Sequence, residues 1–301
     1  MLKALVTTVP FGEANKLPLE LMKNIELDVT INPLNRKLTE NELFDLIEEY
    51  DVLVAGTEPI TKKVLQKANK LKLISRVGIG VDNVDLNEAK KRGILVAYTP
   101  DAPAPAVAEL TLGLMLSLLR SIHISNNLMH KGEWKRIFGR RISEVTIGII
   151  GIGRIGSRVL RRISSFGSPQ ILANDINSDV INNSKIAPSL KINWVSKEEI
   201  YKKADLISIH IPKTPITSNL VTKRDLKMMK SNALVINTSR GGIINENDLF
   251  EVLSNGHLGG CAIDVFDKEP YTGPLSDIQR CILTSHMGSM SVDCRSRMEI
   301  E

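Results

Sequence analysis

Three side chains in the last third of the chain are suited to one piece of chemistry: Arg240 in "INTSRGG", Glu269 in "DVFDKEP" and His286 in "LTSHMGS". A histidine titrates near neutrality and can pass a proton to or from a reacting hydroxyl, while a neighbouring carboxylate holds the ring and stabilises the imidazolium. An arginine grips a carboxylate by paired hydrogen bonds and polarises a carbonyl beside it. Together they could serve proton transfer at the C2 oxygen of a small 2-hydroxy or 2-keto acid. Taken singly, each has a plainer alternative, because a lone histidine is more often structural and a loop Arg or Glu is usually solvated. Position favours the chemical reading. Arg240 and His286 directly follow apolar runs, and in an open parallel sheet ligands bind beyond the carboxyl ends of the strands. All three are therefore expected to face one cleft. His123, His130 and His257, within or at the ends of helical segments, lack that setting, and His210 closes the run "LISIHI".

Oxidation at C2 also needs a hydride acceptor. The stretch "GIGRIGSRVLRRISSFGSPQILANDI" begins with Gly151, Gly153 and Gly156 in G-x-G-x-x-G spacing and reaches Asp175. With 20 glycines in the chain the spacing alone is weak, so its setting must decide. It follows the apolar run "TIGIIG", which reads as a strand buried on both faces, and it opens a segment of helical periodicity that stops at Gly167. At such a turn Gly151 permits the tight bend, Gly153 lets backbone approach a pyrophosphate, and Gly156 lets helix and strand pack closely. The helix start then presents N–H groups and its dipole to the phosphates. Asp175, about twenty residues on, would accept both ribose hydroxyls and repel a 2′-phosphate, which favours NAD over NADP.

These residues need a scaffold of parallel strands. "LKALVTTV", "DVLVAG", "LKLISRVG" and "ILVAYT" form a first series, alternating with helical segments that Thr39 and Thr61 are placed to cap. After "TPDAPAPAVAEL" comes one long helix from about Ala106 to His130, then "VTIGIIGIG", "ILANDI", "INWV", "LISIHI", "ALVINTS", "GCAIDVF" and "CILTSH". Strands alternating with helices mean an α/β fold of doubly wound parallel sheets, here two units joined near residue 100. At 301 residues the chain is long enough for two cores.

Composition narrows the partners. The chain is 43% apolar and 24% charged, as in soluble globular proteins. The net charge of +5 is dispersed and only 4% of residues are aromatic, so a nucleic-acid stacking surface is not expected. The apolar run Leu110 to Leu119 is too short to span a membrane, which needs about 20 residues, and reads as a buried helix. Cys261, Cys281 and Cys294 show no metal-binding spacing and are expected to be buried, reduced thiols of a cytoplasmic protein.

From about Leu71 onward the chain resembles the D-isomer-specific 2-hydroxyacid dehydrogenases, especially their phosphoglycerate dehydrogenase-like branch. The likeness rests on "SRVGIGVDNVDL", "PAVAEL", "GEWKR", "GIIGIGRIGSRV", "SIHIPKTPITSNLV", "INTSRGGIINENDL", "CAIDVFDKEP" and "SHMGS" in that order. The resemblance implies a flavodoxin-like substrate domain of residues 1–99 and 290–301, with a Rossmann NAD-binding domain of residues 100–289 inserted into it. It implies that Arg240 binds substrate, Glu269 tunes the histidine and His286 donates the proton during reduction. Backbone groups of Gly78, Ile79 and Gly80 would hold the substrate carboxylate. By its position just before that loop, Arg76 could meet a distal phosphate or carboxylate, or equally sit in a surface ion pair. Cofactor contacts would come from Arg154 and Ile155 in the glycine turn, Asp175, Ile211, Thr238, Ser239, Asp264, Gly288 and Ser289. The substrate implied is 3-phosphoglycerate-like, or hydroxypyruvate or glyoxylate, and the assembly a homodimer joined through the NAD-binding domain. Formate oxidation is disfavoured, since that branch pairs its histidine with glutamine. An NAD(H)-sensing corepressor-like protein on the same scaffold is the alternative from another class. The family pattern continues beyond "RSRMEIE" into a longer returning helix, and "FGSPQILAND" is a residue longer than the usual link. A C-terminal regulatory domain, with feedback control of that kind, is not expected.

Overall fold

Every strand marked above by an apolar run is present in the computed structural model, which describes residues 1–181 and 187–301. The chain divides into two compact units, one of Met1–Pro103 with Met290–Glu301 and one of Ala104–Ser289. The second is thus inserted between segments of the first.

The first unit is a five-stranded sheet of β1 (Lys3–Val6), β2 (Asp28–Ile31), β3 (Val52–Ala55), β4 (Leu73–Arg76) and β5 (Leu95–Tyr98). All pairings are parallel and the order is β2-β1-β3-β4-β5, the flavodoxin-like arrangement. Leu5, Leu53 and Ile74 from the strands meet Leu43, Ile47, Val64 and Leu65 from the helices in a buried core. β2 was not among the strands expected from the sequence. It is a short edge strand with mostly exposed side chains, so it lacks the apolar run that marks a buried one. The helix Glu40–Leu46 starts in a capping box, Thr39 accepting from the Glu42 amide while the Glu42 carboxylate accepts from the Thr39 amide at 2.8 Å. Thr61 caps the helix Lys62–Lys67. Such caps contribute about 1 kcal/mol each.

In this unit the final helix, Val292–Ile300, carries a buried ion pair at i,i+4 spacing, Arg295 Nε to Glu299 Oε1 at 2.6 Å. Both partners also hold the loop after β1. Arg295 donates to Thr8 Oγ1 at 2.9 Å and to the Pro10 carbonyl, and the Gly12 amide donates to Glu299 at 2.8 Å.

The second unit is a seven-stranded parallel sheet of β6 (Thr146–Ile150), β7 (Gln170–Asn174), β8 (Ile192–Trp194), β9 (Leu206–Ile209), β10 (Leu234–Asn237), β11 (Gly260–Ile263) and β12 (Cys281–Leu283). Its order is β12-β11-β10-β9-β6-β7-β8, so the winding direction reverses between β6 and β9. β9, β10 and β11 are buried along their whole length, which is why they read as continuous apolar runs. Alternation sorts their side chains into two cores. Ile147, Ile149, Leu206 and Ile236 pack on one face, and Ile150, Ile207, Ile209 and Val235 on the other.

The helix expected from Ala106 to His130 is two helices, Ala104–Leu119 and Ile122–His130, bent by 66°. Ser121 between them has φ +52°, a left-handed conformation that ends α-helical hydrogen bonding. Among the described residues no single helix is long and apolar enough to cross a membrane.

Candidate active site

β6 delivers the chain to the reversal point of the second sheet, where Gly151 turns it with φ +90°. A Cβ on Gly151 would stand 2.5 Å from the His210 carbonyl oxygen, just past β9, and 2.8 Å from the Ile211 side chain. On Gly156 a Cβ would stand 2.0 Å from the Gly151 carbonyl oxygen, so only glycine lets the helix Arg154–Ile163 lie this close to the strand. Gly153 differs. Nothing lies within 4 Å of its Cβ position, and as the cap residue it has no side chain to satisfy the first helical N–H groups. Gly153 and Arg154 are exposed and Ile155 is half-buried. An open, exposed helix start that lacks its own cap fits a pyrophosphate.

Asp175 follows β7 and is held toward this turn. One carboxylate oxygen accepts from the Ile152 amide at 2.6 Å and the other from the Asn177 amide at 2.8 Å. Each oxygen retains acceptor capacity for a ribose hydroxyl. His210 is buried beneath the turn. Its Nε2 pairs with Ser208 Oγ at 2.9 Å, while Nδ1 has no partner among the described residues. Burial pushes its pKa down to about 3, so the ring is neutral and structural.

Beyond the carboxyl ends of β11 and β12, Nδ1 of His286 lies 3.0 Å from each carboxylate oxygen of Glu269. Glu269 is itself fixed by the Phe266 amide, which donates to Oε1 at 3.1 Å. His286 has φ +54°, a left-handed conformation that costs a non-glycine residue about 1 kcal/mol or more. The surrounding loop enforces it through Asp264. That buried carboxylate accepts on Oδ1 from Thr284 Oγ1 at 2.6 Å and the Met287 amide at 2.9 Å, and on Oδ2 from the Gly288 amide at 2.9 Å. The His286 amide donates to the Asp264 carbonyl at 2.8 Å. Asp264, expected only as a cofactor neighbour, is thus the hub that shapes the histidine loop. Gly288 is buried against it and Ser289 is half-buried beyond.

Arg240 sits one turn past β10. Asn237, buried at the strand end, donates through its side-chain amide to the Arg240 carbonyl at 2.8 Å and accepts from the Ser239 amide and hydroxyl at 3.0 and 2.7 Å. Thr238 is anchored to Thr111 by a 2.8 Å hydroxyl pair. A Cβ on Gly241 would lie 2.0 Å from the Phe266 carbonyl group, so glycine there brings the Arg240 turn against the segment leading to Glu269. Sequence reasoning missed both Asn237 and Gly241. The doubled glycine of "SRGG" was the available signal for the second.

The remaining expected residues belong to the first unit. Arg76 is buried, with Nε donating to Asn83 Oδ1 at 3.2 Å and Nη1 to the Val77 carbonyl. Asn83 in turn donates to the Gly56 and Glu58 carbonyls at 3.2 and 2.7 Å, so the guanidinium braces the loops after β3 and β4. Gly78 has φ +143° and donates to Thr99 Oγ1 at 2.8 Å, and Ile79 and Gly80 follow it, half-buried.

The profile described as "D-isomer specific 2-hydroxyacid dehydrogenase, NAD binding domain" matches residues 112–288, the span that carries the glycine turn, Arg240, Glu269 and His286. The chain belongs to the D-isomer specific 2-hydroxyacid dehydrogenase family. Among the family's members it is 38% identical to D-3-phosphoglycerate dehydrogenase of Methanocaldococcus jannaschii, over 98% of this chain and 55% of that protein. The chain therefore spans about half the length of that relative. It is 35% identical to hydroxypyruvate reductase of Thermotoga maritima, over 93% of this chain and 90% of the relative. The crystal structure of the TT0316 protein from Thermus thermophilus superposes with a TM-score of 0.87 at 32% identity, covering 99% of this chain and 94% of that one. Within the second unit, the family's NAD-binding domain thus carries both the dinucleotide turn and the histidine–carboxylate pair.

Proposed function

We propose that this D-2-hydroxyacid dehydrogenase family member transfers hydride between NAD(H) and C2 of a small 2-hydroxy or 2-keto acid. The observation that carries the reading is the Glu269 carboxylate set against Nδ1 of His286, in the same unit as the dinucleotide turn. A dinucleotide held at that turn by its pyrophosphate would supply, through its nicotinamide, the hydride-transfer chemistry. Gly153 and the helix start receive the pyrophosphate, and Asp175 receives the adenosine ribose and disfavours a 2′-phosphate. Glu269 keeps the proton on Nδ1, so that Nε2 faces the substrate oxygen, gives it a proton during reduction and removes one during oxidation. Arg240 binds the acid and polarises the C2 carbonyl. In the first unit Ile79 and Gly80 would offer backbone N–H groups to a carboxylate, whereas the Gly78 N–H expected to join them is taken by Thr99 Oγ1.

The names of the two relatives point to 3-phosphoglycerate and hydroxypyruvate chemistry, and the substrate class we propose is the corresponding short 2-keto acids, glyoxylate included. Because both relatives are named for turnover, they support an enzyme and give no support to the corepressor-like alternative. We also propose a homodimer joined through the second unit. Beyond the helix Ile122–His130 that unit exposes Trp134 and Phe138, large apolar side chains of the kind partner subunits cover.

The deciding experiment follows NADH oxidation with glyoxylate, pyruvate, hydroxypyruvate, 2-ketoglutarate and 3-phosphohydroxypyruvate. Turnover with at least one is expected, and it should be lost in Arg240→Ala. NADH binding with no turnover on any of the five would overturn the reading.

A further inference from the structure

Cys261 on β11 and Cys281 on β12 are direct register partners in neighbouring parallel strands, and their sulfurs lie 3.3 Å apart as free thiols. Adjacent strands run about 4.8 Å apart, within the range of Cα separations, about 4.4–6.8 Å, that a disulfide accepts. The two thiols differ in access. Cys261 is buried, whereas Cys281 is half-buried.

We propose that Cys261 and Cys281 form a redox modification site, which a hydroperoxide entering at Cys281 converts to a disulfide that slows the neighbouring active site. Cys281 is the attacking sulfur because the Cys261 S–H donates to it and Arg280 adds positive charge, both lowering its pKa. The Cys281 thiolate attacks one peroxide oxygen, the O–O bond breaks, and the leaving oxygen takes up a proton, leaving a sulfenic acid. The Cys261 sulfur then attacks the Cys281 sulfur and the S–O bond breaks. The departing hydroxide takes the Cys261 proton and leaves as water. With hydrogen peroxide the sum is two thiols oxidised by two electrons, one peroxide reduced and two waters formed.

The bond would act on the active site through the strands. β11 runs directly into Asp264, and β12 into Thr284 and His286, while the Asp264 carboxylate joins the two strand ends. Closing the sulfurs from 3.3 Å to the bonded distance, about 2.05 Å, would tie the two strands together three residues before Asp264 and Thr284, and so alter how their ends hold His286. Misplacement of a reacting group by about 1 Å can lower a rate on the order of a hundredfold.

The test treats the full chain with increasing hydrogen peroxide, blocks the remaining thiols by alkylation and maps peptides without reduction. A cross-link between the Cys261 and Cys281 peptides is expected, with an intact mass two hydrogens lower, reversal by dithiothreitol, and loss of the cross-link in Cys281→Ser but not in Cys294→Ser. Turnover should fall about tenfold or more and return on reduction. Three alkylatable thiols after excess peroxide, or Cys281 carried to sulfinic acid beside an intact Cys261, would overturn the site. A fully cross-linked protein with undiminished turnover would overturn its coupling to the reaction. That coupling rests on the proposed function, but the cross-link is read by mass alone, so a protein with no turnover on any acid would leave the thiol chemistry to be decided separately.

Discussion

Both carboxylate oxygens of Glu269 lie 3.0 Å from Nδ1 of His286, and a backbone amide fixes the carboxylate from behind. The pair therefore has a preset orientation before any substrate arrives, and the left-handed φ of His286 is held by bonds that converge on Asp264. Orientation and proton transfer can be separated by mutation.

His286→Ala removes the proton carrier and should lower kcat by about 10²–10⁴-fold, with the Kd for NADH changed less than about twofold, the ordinary error of such a titration. Glu269→Gln keeps the size of the side chain but removes the charge that stabilises the imidazolium, so a smaller loss on the order of tenfold to a hundredfold is expected. Steady-state kinetics together with NADH fluorescence titration would check both. Unchanged kcat in His286→Ala would remove the histidine from the mechanism.

The glycines of the dinucleotide turn divide into two kinds. A methyl group at Gly156 meets the Gly151 carbonyl oxygen at 2.0 Å, whereas one at Gly153 meets nothing within 4 Å. Gly156→Ala should therefore destabilise the fold by about 1–3 kcal/mol or more. Gly153→Ala should melt like the parent, yet bind NADH at least about tenfold more weakly, because the methyl occupies the space where backbone approaches pyrophosphate. Thermal melts without cofactor and NADH titrations would show the split. Equal effects of the two substitutions on NADH affinity at equal stability would refute it.

Much of this site could be read from the sequence because its chemistry rests on residue types at strand ends. A buried parallel strand announces itself as an apolar run, and the residues just past its end lie by geometry at the ligand-binding edge, so Gly151, Arg240 and His286 could be placed without coordinates. β2 escaped because an edge strand with exposed side chains carries no such run. The break at Ser121 escaped because a single left-handed serine just past the apolar run leaves no mark in the helical periodicity. Roles that depend on long-range contacts were also hidden. Arg76 is buried and braces two loops, and Asp264 organises the histidine loop, contacts that no sequence pattern marks.

Asp175 should set the choice of cofactor. Its oxygens are oriented by the Ile152 and Asn177 amides, so the negative charge is fixed where the adenosine ribose would lie. NADH is expected to bind at least about tenfold more tightly than NADPH, since a fixed carboxylate repels a 2′-phosphate. Asp175→Asn, which removes the charge while retaining an acceptor, should narrow the ratio mainly by strengthening NADPH binding. Parallel titrations with both nucleotides would measure it, and equal affinities in the unsubstituted protein would count against the assignment.

His210 should govern part of the protein's stability in acid. Histidine ordinarily titrates near 6.5, but burial beneath the glycine turn pushes this one down to about 3, leaving the folded state unable to take the proton that the unfolded chain accepts. Its contribution to stability is therefore complete above pH 6.5 and is lost progressively as the pH falls from there toward 3, with a slope of at most about 1.4 kcal/mol per pH unit. His210→Asn removes the titrating group from both states, so the variant should lose less stability than the parent on acidification. Carboxylates elsewhere titrate alike in the two proteins, and the difference between their urea midpoints isolates the imidazole. A gap between parent and variant that stays constant from about pH 7 to about pH 5 would mean that His210 accepts its proton in the folded state. That would contradict the burial on which its structural role rests.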